Sequence, residues 1–484
     1  MSYTYFERLS PMDLSFLAVE DGRAHMHIGS VSLYDAEPLR VEDGAVDFER
    51  ILAFTEAQLH KVPRTRQKLA WVPGFGQPVW VDDAHFNPRF HVRHTALPPP
   101  GDIRQLKRLA GRILSQEFDR EKPLWENWIV DGVEGNRFAV ISKVHHCIAD
   151  GISGVEMANL LVGPDPDYRP APRKEWVPRP APTGAQLVVE ELQHRIRAPF
   201  DLLRSLRSES AEKPAATERT RSGLGGLIES FQEAMPRKSP TPLDVDEVGP
   251  HRRFDWTRLP FDRMRALGAS AGGTLNDVAL AIASGALRRF LLRRGMTLEE
   301  LEFRAIVPMS VRKESERAAL GNRISGMLTE LPLDEPDPWK RLLRVIETTR
   351  DLKASTRSSA PEVMERVVDL LPTQLLFPLF RVASRYLPAN IVITNVPGPR
   401  VPVYLLGARL LETYPVVPVT ATQSLGIALL SYDGGLSWGF NADWDAVPDL
   451  HDLVEDVEAE FDALSALLPA DPAADQTPAS GAGV

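Results

Sequence analysis

The sequence predicts an α/β protein built in two blocks. Three observations carry that reading: segments of helical and strand period alternate in both halves of the chain, two proline-rich stretches separate the halves, and 484 residues at 43% apolar content supply ample core. At ~100–200 residues per domain, that length corresponds to two to four domains.

The elements follow in order. In the first block, residues 1–162, Arg104 to Phe118 place Leu106, Leu109, Ala110 and Ile113 on one helical face with Arg, Lys and Gln opposite, the pattern of a helix lying on a sheet. Arg137 to Val144 is a short apolar run with β-branched residues, hence a buried strand, and it leads directly into His145-His146-Cys147-Ile148-Ala149-Asp150-Gly151. A helical period resumes beyond Gly151 through Val155, Ala158 and Leu161. Residues 163–250 read as a connector: seven prolines fall within 163–182, a second proline-rich run spans 235–250, and helix-forming residues lie between them. The second block, 251–468, contains a helix over Phe261 to Leu267, a helix opening at Thr274 to Asp277, strands near Phe303 to Val307 and Ile391 to Thr394, and a last helix from Asp449 to about Leu467. Residues 469–484 contain nothing that could bury a core and read as disordered.

Composition excludes several functional classes. One cysteine, Cys147, cannot make an internal disulfide or a multi-cysteine metal site, and a reducing cytoplasm is the expected compartment. A net charge of -10 argues against a non-specific nucleic-acid binder. No basic start followed by an apolar run marks a signal peptide. The charge-free stretch from Thr413 to Tyr432 has the length of a membrane span, but Pro415, Pro418, Thr420, Thr422, Gln423 and Ser424 interrupt it. Val416, Val417 and Val419 are expected in a buried strand, followed by a second strand near Ile427 to Tyr432.

The histidine pair carries the most chemistry. An imidazole with an ordinary pKa near ~6.5 can take a proton at neutral pH. Adjacent residues point in different directions, so one of the two can face a substrate while Asp150 fixes local geometry and Gly151 supplies a conformation other residues resist. Two buried structural histidines at a strand end are the competing reading. His145 and His146 lack the i, i+4 spacing of a helical metal pair and no further ligand completes a set, so no metal is expected on them.

At these residues the chain resembles a known family. His145 to Gly151 fits the HHxxxDG motif of acyltransferases related to chloramphenicol acetyltransferase and non-ribosomal condensation domains. More closely, the chain resembles the bacterial wax ester synthase/diacylglycerol acyltransferase family, through Leu9-Ser10-Pro11-Met12-Asp13 with Phe16, Lys122-Pro123-Leu124-Trp125, Asn276-Asp277, Val307 to Arg312, Gly321-Asn322-Arg323 and Asn395 to Pro399. The resemblance implies two chloramphenicol-acetyltransferase-like subdomains, each a mixed sheet with packed helices, joined by a crossover, with an active-site tunnel at their interface. It implies His146 as general base, His145 as its support, and Asp150 as a structural residue turned from the substrate. It also implies acyl-CoA as co-substrate with no cofactor, a lipid alcohol as acceptor, and Asn276 and Asp277 near the substrate.

Other features have plainer readings beside these. Thr274-x-x-Asp277 is also a capping box. Pro123-Leu124-Trp125 reads as a packing corner and Asn395 to Pro399 as a turn. Gly268 to Gly272 matches the G-x-S-x-G string of serine hydrolases, but a helix precedes it where that elbow needs a strand. His145 to Asp150 also fits H-x4-D, which would make His145 the base. Cys147 beside His146 invites a Cys–His nucleophile, which the motif does not require. Glu362 to Leu387 is apolar enough for contact with a membrane or lipid-body surface, the alternative being a buried helix pair around Pro372 and Pro378. A non-catalytic lipid-body scaffold is the remaining rival.

Overall fold

Two six-stranded mixed sheets organise the chain, with a small three-stranded sheet beside them. The computed structural model describes residues 4–42, 44–148, 162–169, 175–208, 238–310, 324–355, 373–420 and 422–468. The helix expected after Gly151 lies outside these residues.

The N-terminal half runs β1 (Glu7–Arg8), α1 (Pro11–Val19), β2 (His27–Asp35), α2 (Phe48–Gln58), β3 (Gln67–Trp71), β4 (Pro78–Asp82), α3 (Pro88–His91), β5 (Val92–Ala96), α4 (Ile103–Leu114), β6 (Trp125–Val133) and β7 (Arg137–His145). A connecting helix, α5 (Gly184–Ser208), follows. The C-terminal half runs β8 (Arg252–Pro260), α6 (Phe261–Ala271), α7 (Leu275–Arg293), β9 (Arg304–Ser310), β10 (Ile324–Glu330), α8 (Pro338–Ser355), α9 (Thr373–Arg385), β11 (Ile391–Val396), β12 (Tyr404–Leu405), β13 (Ala408–Val416), β14 (Leu425–Tyr432), β15 (Gly435–Asp443) and α10 (Leu450–Ser465).

The N-terminal sheet has the order β12-β13-β2-β7-β6-β5, so its last two strands in sequence come from the C-terminal half. β13 pairs antiparallel with β2 from Leu410–Tyr34 to Val416–Gly29. The C-terminal sheet has the order β10-β9-β11-β14-β15-β8. β11 is parallel to both β9 and β14 while the other pairs are antiparallel. The chain therefore crosses between sheets, and this crossover joins the two subdomains.

Helix α7 forms the centre of the larger core. Val278, Leu280, Ile282, Leu287 and Phe290 are buried, with Ala279, Ala281, Ala283 and Ala286 between them, so the stretch from Asp277 to Leu287 is covered on every side. Two glycines allow the bodies to approach. A Cβ at Gly111 in α4 would lie 2.7 Å from the Arg252 carbonyl oxygen, and one at Gly439 in β15 would lie 1.9 Å from that of Pro415 in β13. Any side chain at either site would push the subdomains apart.

The expected elements are present with shifted ends. α4 begins at Ile103 behind a capping box of Asp102 and Gln105 and stops at Leu114 rather than Phe118. Ser115 ends it by donating to the Gly111 carbonyl at 2.7 Å and accepting the Arg252 amide at 2.8 Å. Val417 and Val419, expected in a strand, follow the end of β13 instead; both are buried, with Pro418 between them unable to donate a ladder hydrogen bond. The last helix spans Leu450–Ser465. Ser270 lies within α6 and donates to the Leu267 carbonyl at 2.9 Å, so it does not sit on a strand-to-helix elbow. Only part of the apolar segment Glu362 to Leu387 is described; there α9 buries Leu376 at 1% exposure and leaves Leu375 at 43%.

Candidate active site

The site begins with the way α1 ends. Ser10 caps its start by accepting the Asp13 amide at 3.2 Å, Pro11 occupies the first turn, and the helix stops at Val19. Glu20 follows in extended conformation and turns its carboxylate inward, where it is 3% exposed. The second component is the end of β7. The His145 amide donates to the Leu124 carbonyl at 2.9 Å, and His145 lies opposite His27 across the β2–β7 ladder. The strand alternation then breaks as His146 to Ile148 form a single 3-10 turn. The His146 amide donates to the Met26 carbonyl at 2.8 Å, holding this turn against the chain entering β2.

The two histidines consequently have different surroundings. His145 is buried at 1% exposure, whereas His146 is half-buried and stacks on Phe16 of α1 with ring centroids 3.8 Å apart. His145 Nδ1 lies 3.1 Å from the Cys147 amide nitrogen, which can only donate. Nδ1 is therefore the acceptor, and Nε2 carries the proton that it donates to Glu20 Oε2 at 3.1 Å. The ring ties the end of α1 to the turn that carries His146. Of the two rings, His146 is the partly exposed one and His145 the one tied into the buried network.

Glu20 is the charge on which this arrangement rests. Its Oε2 also accepts from Arg120 at 2.7 Å, and its Oε1 accepts the Met26 amide at 3.3 Å. Burial alone would raise its carboxyl, but the hydrogen bond from His145, followed by the charge and hydrogen bond of Arg120, outweighs it and holds the group at about 2. Nearby, Lys143 is buried, donates to the Gln116 carbonyl at 2.9 Å and lies 4.3 Å over the Phe118 ring; burial lowers its ammonium to about 8. The earlier end of α4 makes this possible, because Phe118 and Arg120 leave the helix axis and turn into the network.

Cys147 faces His145 rather than His146. Its Sγ is 2.9 Å from His145 Nδ1, and burial pushes the thiol well above its ordinary pKa. A protonated, buried thiol is a poor nucleophile. Leu124 and Trp125 are packing residues, as their composition suggests: Trp125 is 2% exposed, donates to the Thr65 carbonyl at 2.8 Å and stacks on His91. Leu124 also holds the His145 amide, which links this corner to the motif.

Asp150 and Gly151 lie outside the described residues, as do Val311, Arg312 and Gly321 to Arg323. Asn276 is half-buried in the first turn of α7. Asp277 is buried at 3% exposure and engages both oxygens within the protein: Oδ2 accepts from the Thr274 amide and hydroxyl at 2.7 and 2.8 Å, and Oδ1 accepts from the Thr349 hydroxyl at 2.7 Å. The capping box is complete. Glu20, Arg120 and His27 carry no motif signature in sequence. The alternation His25-Met26-His27, which puts two imidazoles on one face of an extended chain, is the one local signal near them.

Comparison with known proteins places this geometry. The family model for the wax ester synthase/diacylglycerol acyltransferase catalytic domain matches residues 9–279, and that for the C-terminal domain of the same family matches residues 320–465. A putative diacylglycerol O-acyltransferase of Mycobacterium tuberculosis strain H37Rv is 33% identical over 473 residues, covering 94% of this chain and 95% of the relative. Among solved structures, the wax ester synthase/diacylglycerol acyltransferase from Marinobacter aquaeolei VT8 superposes with a TM-score of 0.68 at 25% identity, covering 95% of this chain and 99% of that one. The trichothecene 15-O-acetyltransferase of Fusarium sporotrichioides shares the fold at a TM-score of 0.57 and 12% identity, over 95% of this chain and 94% of that one. The two mixed-sheet subdomains are those of the chloramphenicol-acetyltransferase-like fold, and the chain belongs to the wax ester synthase/diacylglycerol acyltransferase family.

Proposed function

We propose that the protein transfers a long-chain acyl group from acyl-CoA to a lipid alcohol, with His146 as general base. The acceptor is diacylglycerol, giving triacylglycerol, or a fatty alcohol, giving a wax ester. The alcohol O–H gives its proton to His146 as its oxygen bonds to the thioester carbonyl carbon. The C–S bond then breaks, and the imidazolium returns the proton to the departing CoA sulfur. No covalent acyl-enzyme is formed and no cofactor is required. The observation that supports this reading is the difference in surroundings between the histidines: His146 is half-buried on Phe16, while His145 is fully buried with both ring nitrogens engaged. His145 and Asp150 are assigned positioning roles. Gly151 is assigned to the motif turn, and Asn276 and Asp277 to the vicinity of the substrate, Asp277 through its hold on the start of α7.

The test is an acceptor panel. Purified protein is incubated with radiolabelled palmitoyl-CoA and either diacylglycerol or a long-chain alcohol, and triacylglycerols are separated from wax esters. Acceptor-dependent ester formation supports the reading, and its absence with every acceptor supports a scaffold. A specialised hydroxylated lipid belongs on the same panel.

The acceptors are bilayer lipids, and we assign the protein a cytoplasmic location with peripheral contact to the inner membrane or lipid bodies. Among the described residues no helix is long and apolar enough to cross a membrane. Leu375 at 43% exposure and Tyr386 at 53%, at opposite ends of α9, support a surface contact.

A further inference from the structure

We propose that Glu20, His25 and His27 form a binding site for a borderline divalent transition-metal ion such as Zn2+, directly behind the histidine motif. The site is distinct from the His145–His146 pair, whose spacing argues against a metal.

The inference rests on geometry. One ligand atom from each residue can be chosen so that all three lie within 4.8 Å of one another, and this is the one such group among the described residues. All three side chains are buried, at 3%, 6% and 3% exposure. Glu20 Oε1 is 3.8 Å from His27 Nε2, close to the ~3.3 Å edge of a tetrahedron built on metal–nitrogen bonds of ~2.0–2.1 Å. The His25 and His27 rings are stacked, 5.1 Å apart and 16° from parallel.

The polar accounting points the same way. His25 Nδ1 and both ring nitrogens of His27 are buried without a hydrogen-bond partner. Native interiors rarely leave three such atoms together. The Leu114 carbonyl acts on His27 as a backbone acceptor, and it can serve a metal-bound imidazole as the outer acceptor for the remaining N–H. Glu20 is arranged as ligating carboxylates usually are: Oε2 is held by Arg120 and His145, and Oε1 is turned toward His27 with only a long contact from the Met26 amide.

Charge selects the class of ion. Lys143 and Arg252 both act on His25, opposed by Glu20 and Glu117, and of these carboxylates Glu20 alone belongs to the ligand group. Calcium and magnesium, which depend on several oxygen ligands, are disfavoured there, whereas an ion held by imidazole nitrogen is tolerated. Two histidines, one carboxylate and a fourth position for water make a ligand set suited to zinc. Such an ion would link the end of α1 to the start of β2 and, through Glu20, to His145.

The experiment uses the full-length protein, stripped with EDTA and dialysed. Titration with ZnCl2 against a chelator of known affinity is expected to show one equivalent bound. The melting temperature is expected to rise by about 3 °C at a hundredfold excess over Kd. Substitution with Co2+ is expected to give the visible absorption of a tetrahedral site without a thiolate charge-transfer band, which would mark Cys147 as a ligand. His25→Ala and His25→Gln, each checked for a metal-free melting temperature within 2 °C of wild type (about the effect of a mild substitution), are expected to weaken binding at least about a hundredfold. Absence of a stoichiometric site, a thiolate band, or wild-type affinity in both folded His25 variants would overturn the proposal.

Discussion

His145 Nε2 donates to Glu20 Oε2 at 3.1 Å, joining the last strand before the active-site turn to a carboxylate 125 residues upstream. Through this contact the His145 ring is held in one tautomer, and its other nitrogen receives the amide of the turn that begins with His146. Glu20→Gln keeps the shape but removes the charge that Arg120 and His145 share. Because Arg120 is about one-third exposed, the loss falls below the ~3–5 kcal/mol of a fully buried broken pair, at about 2–3 kcal/mol. Chemical denaturation of wild type and variant measures it, and equal stability would refute the anchoring role.

The same carboxylate makes a pH prediction. Its folded pKa of about 2 lies below its ordinary 4.5, so the folded state binds this proton less readily than the unfolded state. Its contribution to stability is complete above about 4.5 and is lost as pH falls toward 2. The stability difference between wild type and Glu20→Gln should therefore shrink as pH is lowered from 6 to ~3. A difference that stays constant across that range would show that Glu20 is not held by these cations.

The two histidines should separate by phenotype. His145→Ala leaves the Cys147 amide without its acceptor and takes one donor from Glu20, which keeps Arg120, and should cost about 1–3 kcal/mol of stability, with activity falling as a consequence. His146→Ala removes a half-buried ring and should leave the melting temperature within a few degrees. A stable His145→Ala variant with no activity, alongside an active His146→Ala, would transfer the base to His145 and favour the H-x4-D reading.

Cys147→Ala should retain acyl transfer and lose about 1 kcal/mol of stability, since a buried thiol hydrogen-bonded to His145 is removed. Mass spectrometry of the protein quenched during turnover should find no acyl adduct on Cys147. Trapping one would replace direct transfer with a covalent route. Ser270→Ala should likewise leave the rate unchanged, because that hydroxyl caps a carbonyl inside α6.

Helix α9 separates packing from surface contact at neighbouring positions. Leu376→Glu would bury a charge at a site 1% exposed and should destabilise the protein by about 3 kcal/mol or more, so its behaviour on vesicles reports unfolding. Leu375→Glu combined with Tyr386→Glu alters exposed side chains and should reduce liposome flotation without changing stability. Unchanged flotation would dismiss these exposed side chains of α9 as the lipid contact.

Much of this fold is legible in the sequence, for identifiable reasons. The strand into His145, the capping box of α7, and the α6 helix that disqualifies Ser270 all depend on periods and caps within a few residues. The pairing of β13 with β2 does not, because it brings together residues such as Leu410 and Tyr34 from opposite halves of the chain with no local signature. The end of α4 was set by Ser115 meeting Arg252 of the other subdomain, a tertiary contact that overrides the helical period. At the site, His145 and His146 announce themselves as a pair, while their distinct roles depend on Glu20 and Phe16, whose side chains are assigned by folding alone.

The account turns on whether His146 is the base. Single-turnover transfer from radiolabelled palmitoyl-CoA to the preferred acceptor, compared between wild type and His146→Ala of equal melting temperature, tests this directly. A fall in the chemical rate of about 10²–10⁴-fold with acyl-CoA binding retained is the predicted result. A His146→Ala variant that transfers at the wild-type rate would contradict it.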